Sequence, residues 1–512
     1  MRMAKRVLAI IFGIMMLLLS CTASADDSFN LNKDGFSTSY TYGYDYWGDV
    51  QESPDAYRVT TVLDSVSLGL DVRMSSPQSL YVRNNDLYIV DTTNNRIIQV
   101  DIRNGKYKVK RIIDHVTGGT PETFNSPYDV FVDENDNIYV ADFNNHRIVM
   151  MDRDLNWMKE FTKPADATFD QSLDFLPKKI VVDVAGRVYA LVTNCNKGIV
   201  KFEADTVFAG FIGATPVSVS TAEYIWKRYF QTQAQREASV AFVPTEYENI
   251  YIDKDGFIYA TTTNFSEYDL KWDNAKPIRR LNGLGSDILV KNDRYPPIGD
   301  LYWLEGESTY FGPSKMTDVT VLDNEIYIVL DRVRGRLFGY DNQGIMLWAF
   351  GTRGNIEGAF TSPISIEHSG KDLFVLDQQE NSVTVFTPTE YGNIIYDAIQ
   401  KYQEGEYEDS AVIWKNVLKY NANYPLAFRG IGRTLLRQDK YEEAMEYFKM
   451  AHDRDNYGRA FKLYRKEWIE KNIWWIFLGL ALLLIVPVII GRIKRMKWGV
   501  IMHEQSKVRK NV

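Results

Sequence analysis

The chain has 512 residues, 45% hydrophobic and 25% charged, with 32 tyrosines among its 13% aromatic residues. That length exceeds one ordinary hydrophobic core, and the composition excludes a disordered or collagen-like chain. A formal net charge of −8 argues against nucleic acid as a partner, because phosphates require a basic face.

The N-terminus opens with Arg2, Lys5 and Arg6, continues through an apolar run from Val7 to Leu19, and reaches the small residues Ala23, Ser24 and Ala25. This three-part pattern predicts a signal peptide over residues 1–25. Cys21 follows Leu18-Leu19-Ser20 in the manner of a lipoprotein box, so cleavage after Ala25, lipidation at Cys21 and retention of the segment all stay open. With Cys21 set aside, Cys195 is a lone thiol and no internal disulfide framework exists.

Residues 26–54 form an aromatic-rich segment. Tyr40, Tyr42, Tyr44 and Tyr46 recur at a period of two and are followed by Trp47, so an extended chain presents the tyrosines on one face. Such a face either packs against the side of the next domain or stacks on a sugar or protein partner.

Residues 55–388 repeat. Pro77, Pro127 and Pro177 stand fifty residues apart, as do Pro313 and Pro363, and each opens a strand, a polar turn and a second strand with an aromatic marker. The turns, among them Asp133 to Asn137 and Asp253 to Gly256, carry the Asn, Asp and Gly that tight hairpins favour. Six copies can be counted, and Tyr57 to Leu63 is a β-like run left over to complete the sixth. Two extra stretches interrupt the period: a helical insertion at about 217–243, centred on Thr221 to Glu237, and long loops from Trp272 to Tyr310.

Asp91, Asn94, Asn95, Arg96 and Ile97 in the first copy and Asp142, Asn144, Asn145, Arg147 and Ile148 in the second resemble the NHL repeat. Asp331, Arg336 and Leu337 continue the pattern in the fifth copy, whereas Leu191, Thr261 and Ser382 depart from it. The resemblance implies a mainly β fold, a six-bladed β-propeller, in which small sheets stack radially because none can bury its faces alone.

From Tyr391 the periodicity becomes helical. The motif from Gly405 to Trp414 recurs 34 residues later from Asp439 to Phe448. Tyr407, Trp414, Tyr441, Ala444 and Phe448, with small residues at Ala398 and Gly432, resemble tetratricopeptide repeats over residues 391–471. Residues 473–490 hold no charge and follow Asn472, which predicts a transmembrane helix. Arg492, Lys494, Arg495 and Lys497 then mark the tail, 491–512, as cytoplasmic and the bulk of the chain as extracytoplasmic at a cell membrane.

The residues just after the blade-opening positions fall near the channel mouth: Gln78, Tyr128, Asp129, Lys178, Lys179, Glu248 and Asp318 make the expected ligand or partner face. No catalytic motif, cofactor fingerprint or paired-histidine metal motif is present. Propellers similar to this one include lyases and lactonases with a metal in the channel. Here His115, His146 and His368 fall in different parts of their repeats, which leaves carboxylates such as Asp129, Glu248 and Asp318 as the easier ligands. The expectation is a membrane-anchored binding or scaffold protein with an envelope-protein or carbohydrate partner. The alternative is a metal-dependent, lactonase-like hydrolase or lyase acting on a sugar-derived substrate.

Overall fold

The computed structural model of the chain describes residues 40–216, 242–243, 246–271, 275–291, 295–301, 312–354 and 356–508. The expected leader at 1–25 and the helix expected from Thr221 to Glu237 lie outside the described residues. The chain divides into two compact units, one ending at Asn393 and the other beginning at Ile394.

The first unit is a six-bladed β-propeller. Its inner strands are Ser79–Arg83, Pro127–Val132, Pro177–Val182, Asn249–Ile252, Met316–Val321 and Pro363–Ser369, from blade one to blade six. Each is hydrogen-bonded antiparallel to the strand that follows it, and blades one, two and three have four strands in sequence order. Pro127, Pro177 and Pro363 occupy first strand positions, where a missing N–H costs least. The turns work as the sequence predicts: the Asp133 carboxylate accepts the N–H groups of Asn135 and Asn137 at 2.8 and 2.9 Å. Asp183 and Asp253 repeat that geometry, and the next corner takes a positive φ at Asp136, Gly186 and Gly256.

Blade six is closed by the N-terminal strand Tyr57–Leu63, which pairs antiparallel with Ser382–Pro388 in the register Val383 to Leu63. Joining the two ends of the propeller in one sheet closes the ring without an unpaired edge between first and last blades. Blade four has three strands among the described residues, and Thr215–Pro216 pairs with Phe242–Val243 at the base of the first insertion. Blade five is the widest. Thr41–Tyr44 adds to its outer strand Met346–Phe350, and Val50–Glu52 adds to that.

The NHL-like residues form a clamp. In blade two the Asp142 carboxylate accepts the Asn125 N–H at 2.8 Å, the Asn145 amide at 2.8 Å and the Arg147 Nε at 3.0 Å. Arg147 then donates to the Pro121 carbonyl at 2.6 Å, so one ion pair ties a hairpin to the loop leading into its own blade. Asp91 and Arg96 build the same clamp in blade one, with Arg96 donating to the Val72 carbonyl at 2.6 Å. Blade six lacks the arginine, and Asp377 keeps only the loop half, accepting Thr361 and Ser362 N–H groups.

The second unit is a helical, repeat-like region. Tyr407–Tyr420, Pro425–Arg437, Tyr441–Met450 and Arg454–Val508 pack consecutively, and the two motif helices start at the aligned residues Tyr407 and Tyr441. The small positions matter because a Cβ at Gly430 would stand 2.3 Å from the Trp414 indole nitrogen, and one at Gly432 2.7 Å from the Phe448 ring. The last helix is long and apolar enough over Arg454–Trp498 to cross a membrane.

Candidate functional site: the polar belt of the channel

Alignment of the six inner strands places Ser79, Asp129, Lys179, Asn249, Asp318 and Ser365 at one level, opposite Val90, Ala141, Leu191, Thr261, Leu330 and Leu376 of the marker strands. Side chains alternate along a strand, so the six share a direction and meet residues of neighbouring blades. Ser79 donates to Asp129 at 2.6 Å, and Asp129 also accepts the Ile180 N–H of blade three at 2.8 Å. On the far side of the ring Asn249 donates to Asp318. Asp318 also accepts the Val319 N–H at 2.7 Å and the Ile366 N–H of blade six at 2.8 Å. The Leu80 N–H of blade one donates to Ser365 of blade six at 3.2 Å, which joins the last blade to the first.

Lys179 crosses the channel. Its Nζ donates to Ser79 at 2.8 Å and lies 3.5 Å from Asp129. Burial works to lower the pKa of this ammonium, but the Asp129, Asp318 and Glu367 carboxyls outweigh it and the net direction is up. Burial raises Asp318 above its ordinary value, with Lys179 opposing.

Two residues farther along each strand lies a second level: Tyr81, Phe131, Val181, Tyr251, Thr320 and Glu367. Tyr81 donates to the Val132 carbonyl at 3.1 Å, Tyr251 to the Val321 carbonyl at 3.4 Å, and the Thr320 hydroxyl pairs with His368 Nδ1 at 2.7 Å. Each of these joins a blade to the next. Glu367 is buried, and desolvation with the nearby Asp318 holds its carboxyl well above the usual range, while Lys179 opposes.

Of the expected face, Asp129, Lys179 and Asp318 are brought together in this belt. Gln78, Tyr128, Lys178 and Glu248 sit one residue earlier and turn away from it. Lys178 and Glu248 pair with each other at 3.4 Å, Tyr128 stacks on Phe143 with centroids 4.4 Å apart, and Gln78 gives its N–H to the Val90 carbonyl. Ser79, Asn249, Ser365 and Glu367 complete the belt, and the fifty-residue spacing of Ser79, Asp129 and Lys179 is the signal that finds the first of them.

The aromatic segment is built into blade five rather than standing apart as a face. Tyr40 donates to the Gly358 carbonyl at 3.1 Å. Tyr42 and Tyr44 donate to the Asp300 carboxylate at 2.5 and 2.9 Å, and Tyr42 is fully buried. Arg334 and Arg336 also converge on Asp300, which draws Arg336 away from the blade-five clamp with Asp331. At the end of the tract Trp47 is 64% exposed and meets Tyr46 edge-on.

His115 pairs with Asp114, His146 holds the left-handed corner of its turn, and His368 bonds Thr320, so the three histidines stand apart. Among the described residues no group of three or more His, Cys, Asp or Glu side chains is arranged to hold a metal ion.

A sequence profile described as the NHL repeat matches residues 124–149. The chain is a six-bladed β-propeller that carries an NHL repeat in its second blade, followed by a helical region. No curated protein sequence matches the chain. Solved structures similar to it include virginiamycin B lyase from Staphylococcus aureus, at 12% identity over 65% of this chain and 99% of that one, with a TM-score of 0.37. Kuenenia stuttgartiensis hydrazine synthase matches at 12% identity over 63% and 97%, with a TM-score of 0.38. A Bacteroides thetaiotaomicron protein of unknown function matches at 12% identity over 66% and 73%, with a TM-score of 0.38. Similarities at this level leave the chemistry of the NHL-repeat chain to its own residues.

Proposed function

We propose that the chain is a membrane-anchored, extracytoplasmic binding and scaffold protein. The propeller is its platform for a protein or carbohydrate partner, and the helical repeats are an adaptor. One span fixes it in the cell membrane as an accessory to an envelope or transporter complex. The observation that carries this reading is the unbroken helix Arg454–Val508, which begins among the helical hairpins and continues through the uncharged stretch 473–490. Trp474 and Trp475 at one end and Trp498 at the other are exposed, and at 1.5 Å per residue they lie about 35 Å apart, the spacing of two aromatic belts. The basic residues from Arg492 to Lys497 favour a cytoplasmic tail. A belt whose carboxylates tie blades together suits a rigid platform.

The test is carbonate extraction of native membranes containing either the full chain or a chain ending at Lys471, followed by purification of the full chain with its partners. The full chain should stay in the membrane pellet, the shortened chain should be released, and an envelope protein should co-purify in fixed ratio. Release of the full chain by carbonate would overturn the anchor, and purification without any envelope protein would overturn the scaffold role.

A second reading is a channel hydrolase or lyase. Glu367 favours it, because a buried acid of raised pKa beside a lysine is a pattern that active sites share. Stoichiometric divalent metal in the purified protein, with lactone hydrolysis lost in Glu367→Gln, would put this reading first.

A further inference from the structure

The two flanks of the long helix handle charge differently. On the hairpin side Lys466 and Lys471 are matched on the helix itself, by Glu470 at 3.8 Å and Glu467 at 2.6 Å, both at i,i+4 spacing, and Arg465 lies over the Phe461 ring. Past the uncharged stretch 473–490 that matching stops. Arg492, Lys494, Arg495 and Lys497 fall within six residues and are all exposed, and no Asp or Glu stands within four residues of any of them, the next acid being Glu504. A helix pairs charges at i,i+3 and i,i+4, so nothing on this helix neutralises the four.

Their arrangement selects what does. At about 3.6 residues per turn, Arg492 and Arg495 lie on one side of the helix and Lys494 and Lys497 on the opposite side. Exposed Ile493, Met496 and Trp498 separate the two pairs. A protein docked on one side reaches one pair and leaves the other in water, whereas a layer of headgroups surrounds the helix and meets both. The four residues span about 7.5 Å of helix axis, which matches the depth of one headgroup layer, about 5 to 8 Å.

We propose that these four residues form a basic collar that gathers anionic phospholipids around the cytoplasmic end of the span, from all sides and in preference to zwitterionic lipid. The inference rests on the span proposed above and adds to it the lipid class that the span selects. A positive flank fixes only which way a helix points; a collar that the helix cannot neutralise also fixes its neighbours. Each ammonium donates to headgroup phosphate oxygens, and each guanidinium can grip two of them at once. A zwitterionic headgroup carries its own ammonium beside the phosphate, so it brings no net charge to offset the collar.

The experiment reconstitutes the full chain from mild detergent into phosphatidylcholine vesicles holding a small fraction of phosphatidylglycerol or, in a parallel set, phosphatidylcholine with dansyl on an acyl chain. The label is in both leaflets, so orientation does not matter. Energy transfer from tryptophan to dansyl reads which lipid surrounds the helix, and flotation of the vesicles reads the span. At low salt, transfer to labelled phosphatidylglycerol should exceed transfer to labelled phosphatidylcholine by at least about twofold. The two should become equal near about 1 M sodium chloride, where the Debye length is about 3 Å. Inorganic phosphate at equal ionic strength should displace the lipid no more than chloride does. A chain carrying Arg492→Gln, Lys494→Gln, Arg495→Gln and Lys497→Gln together should still float and should show no preference. Arg492→Lys with Arg495→Lys keeps the charge and should keep the preference. Equal transfer from the parent chain in floating vesicles, a preference that survives the fourfold substitution, or specific displacement by inorganic phosphate would overturn the collar while leaving the span in place. Failure of the parent chain to float would overturn the span and the collar with it.

Discussion

The ammonium of Lys179 donates to the Ser79 hydroxyl at 2.8 Å although a hundred residues separate them in sequence. The bond joins blade three to blade one across the channel, and the same ammonium faces carboxyls from blades two, five and six. Replacing it leaves buried carboxylates facing one another with nothing to offset them. Lys179→Met should therefore cost about 3 kcal/mol of stability, in the range for breaking a buried pair by removing one partner. Urea denaturation of the propeller, followed by tyrosine and tryptophan fluorescence, measures this. An unchanged midpoint would show that the lysine is merely lodged in the channel.

Glu367 gives that balance a pH dependence of known sign. Its folded-state pKa is raised, by burial first and by Asp318 second, so between its ordinary value near 4.5 and the higher folded value the native state holds a proton that the unfolded chain has released. Stability from this group is full below about pH 4.5 and falls as pH rises through that window. His368 acts oppositely: burial lowers it to about 4, so acid below the ordinary imidazole range destabilises the fold through that group. The difference between wild type and Glu367→Gln removes the histidine from the comparison. Glu367→Gln should melt higher than wild type at pH 8 and match it at pH 4, and calorimetry at the two pH values checks this. A gain of the same size at both would locate the effect in packing.

How the propeller arises from its sequence can be followed residue by residue. The clamp of Asp142 and Arg147 and the turn at Asp133 depend on contacts within a few residues, which a local motif reports. The pairing of Val383 with Leu63 was legible for another reason: a strand-like run at each end of the repeats had no partner of its own. The channel was half legible. Asp129, Lys179 and Asp318 stand out as charges at matching positions, but Ser79 and Ser365 look like ordinary strand serines until a neighbouring blade is placed beside them. Glu367 was invisible because no other charge stands at its level, and its burial depends on blades far away in sequence. Asp300 was hidden by lying in an insertion with no periodicity.

The blade-two clamp makes a prediction about coupling. Asp142 is buried and its pKa is raised by desolvation in spite of Arg147 and two further donors, so Arg147→Met alone leaves a carboxylate that the site cannot easily hold. Arg147→Met should cost about 3 kcal/mol, and Asp142→Asn in the same chain should recover part of it. The interaction term from the double-mutant cycle should reach about 1 to 3 kcal/mol. Additive effects within about 0.5 kcal/mol, measured by urea denaturation, would show that the two side chains act independently.

Asp300 fastens the N-terminal strand. Its carboxylate accepts the hydroxyls of Tyr42 and Tyr44 on one side and is paired with Arg334 and Arg336 on the other, and these two arginines hold it below its ordinary pKa against the cost of burial. The strand Thr41–Tyr44 has only two ladder pairs with Met346–Phe350, so most of its hold on blade five passes through these side chains. Asp300→Ala leaves the buried Arg336 guanidinium and two phenols without their carboxylate, while Arg334 keeps Asp331 and the Gly312 carbonyl, a loss of about 3 to 5 kcal/mol by analogy with other broken buried pairs. The six blades keep their own ladders and the closure by Tyr57–Leu63, so the loss should be local. Limited proteolysis followed by mass spectrometry should show new cleavage between Tyr40 and Pro54 while the propeller from Ala56 onward stays resistant. Cleavage spread evenly over the blades would mean that the cluster supports the whole ring, and an unchanged pattern would mean that backbone pairing alone holds the strand.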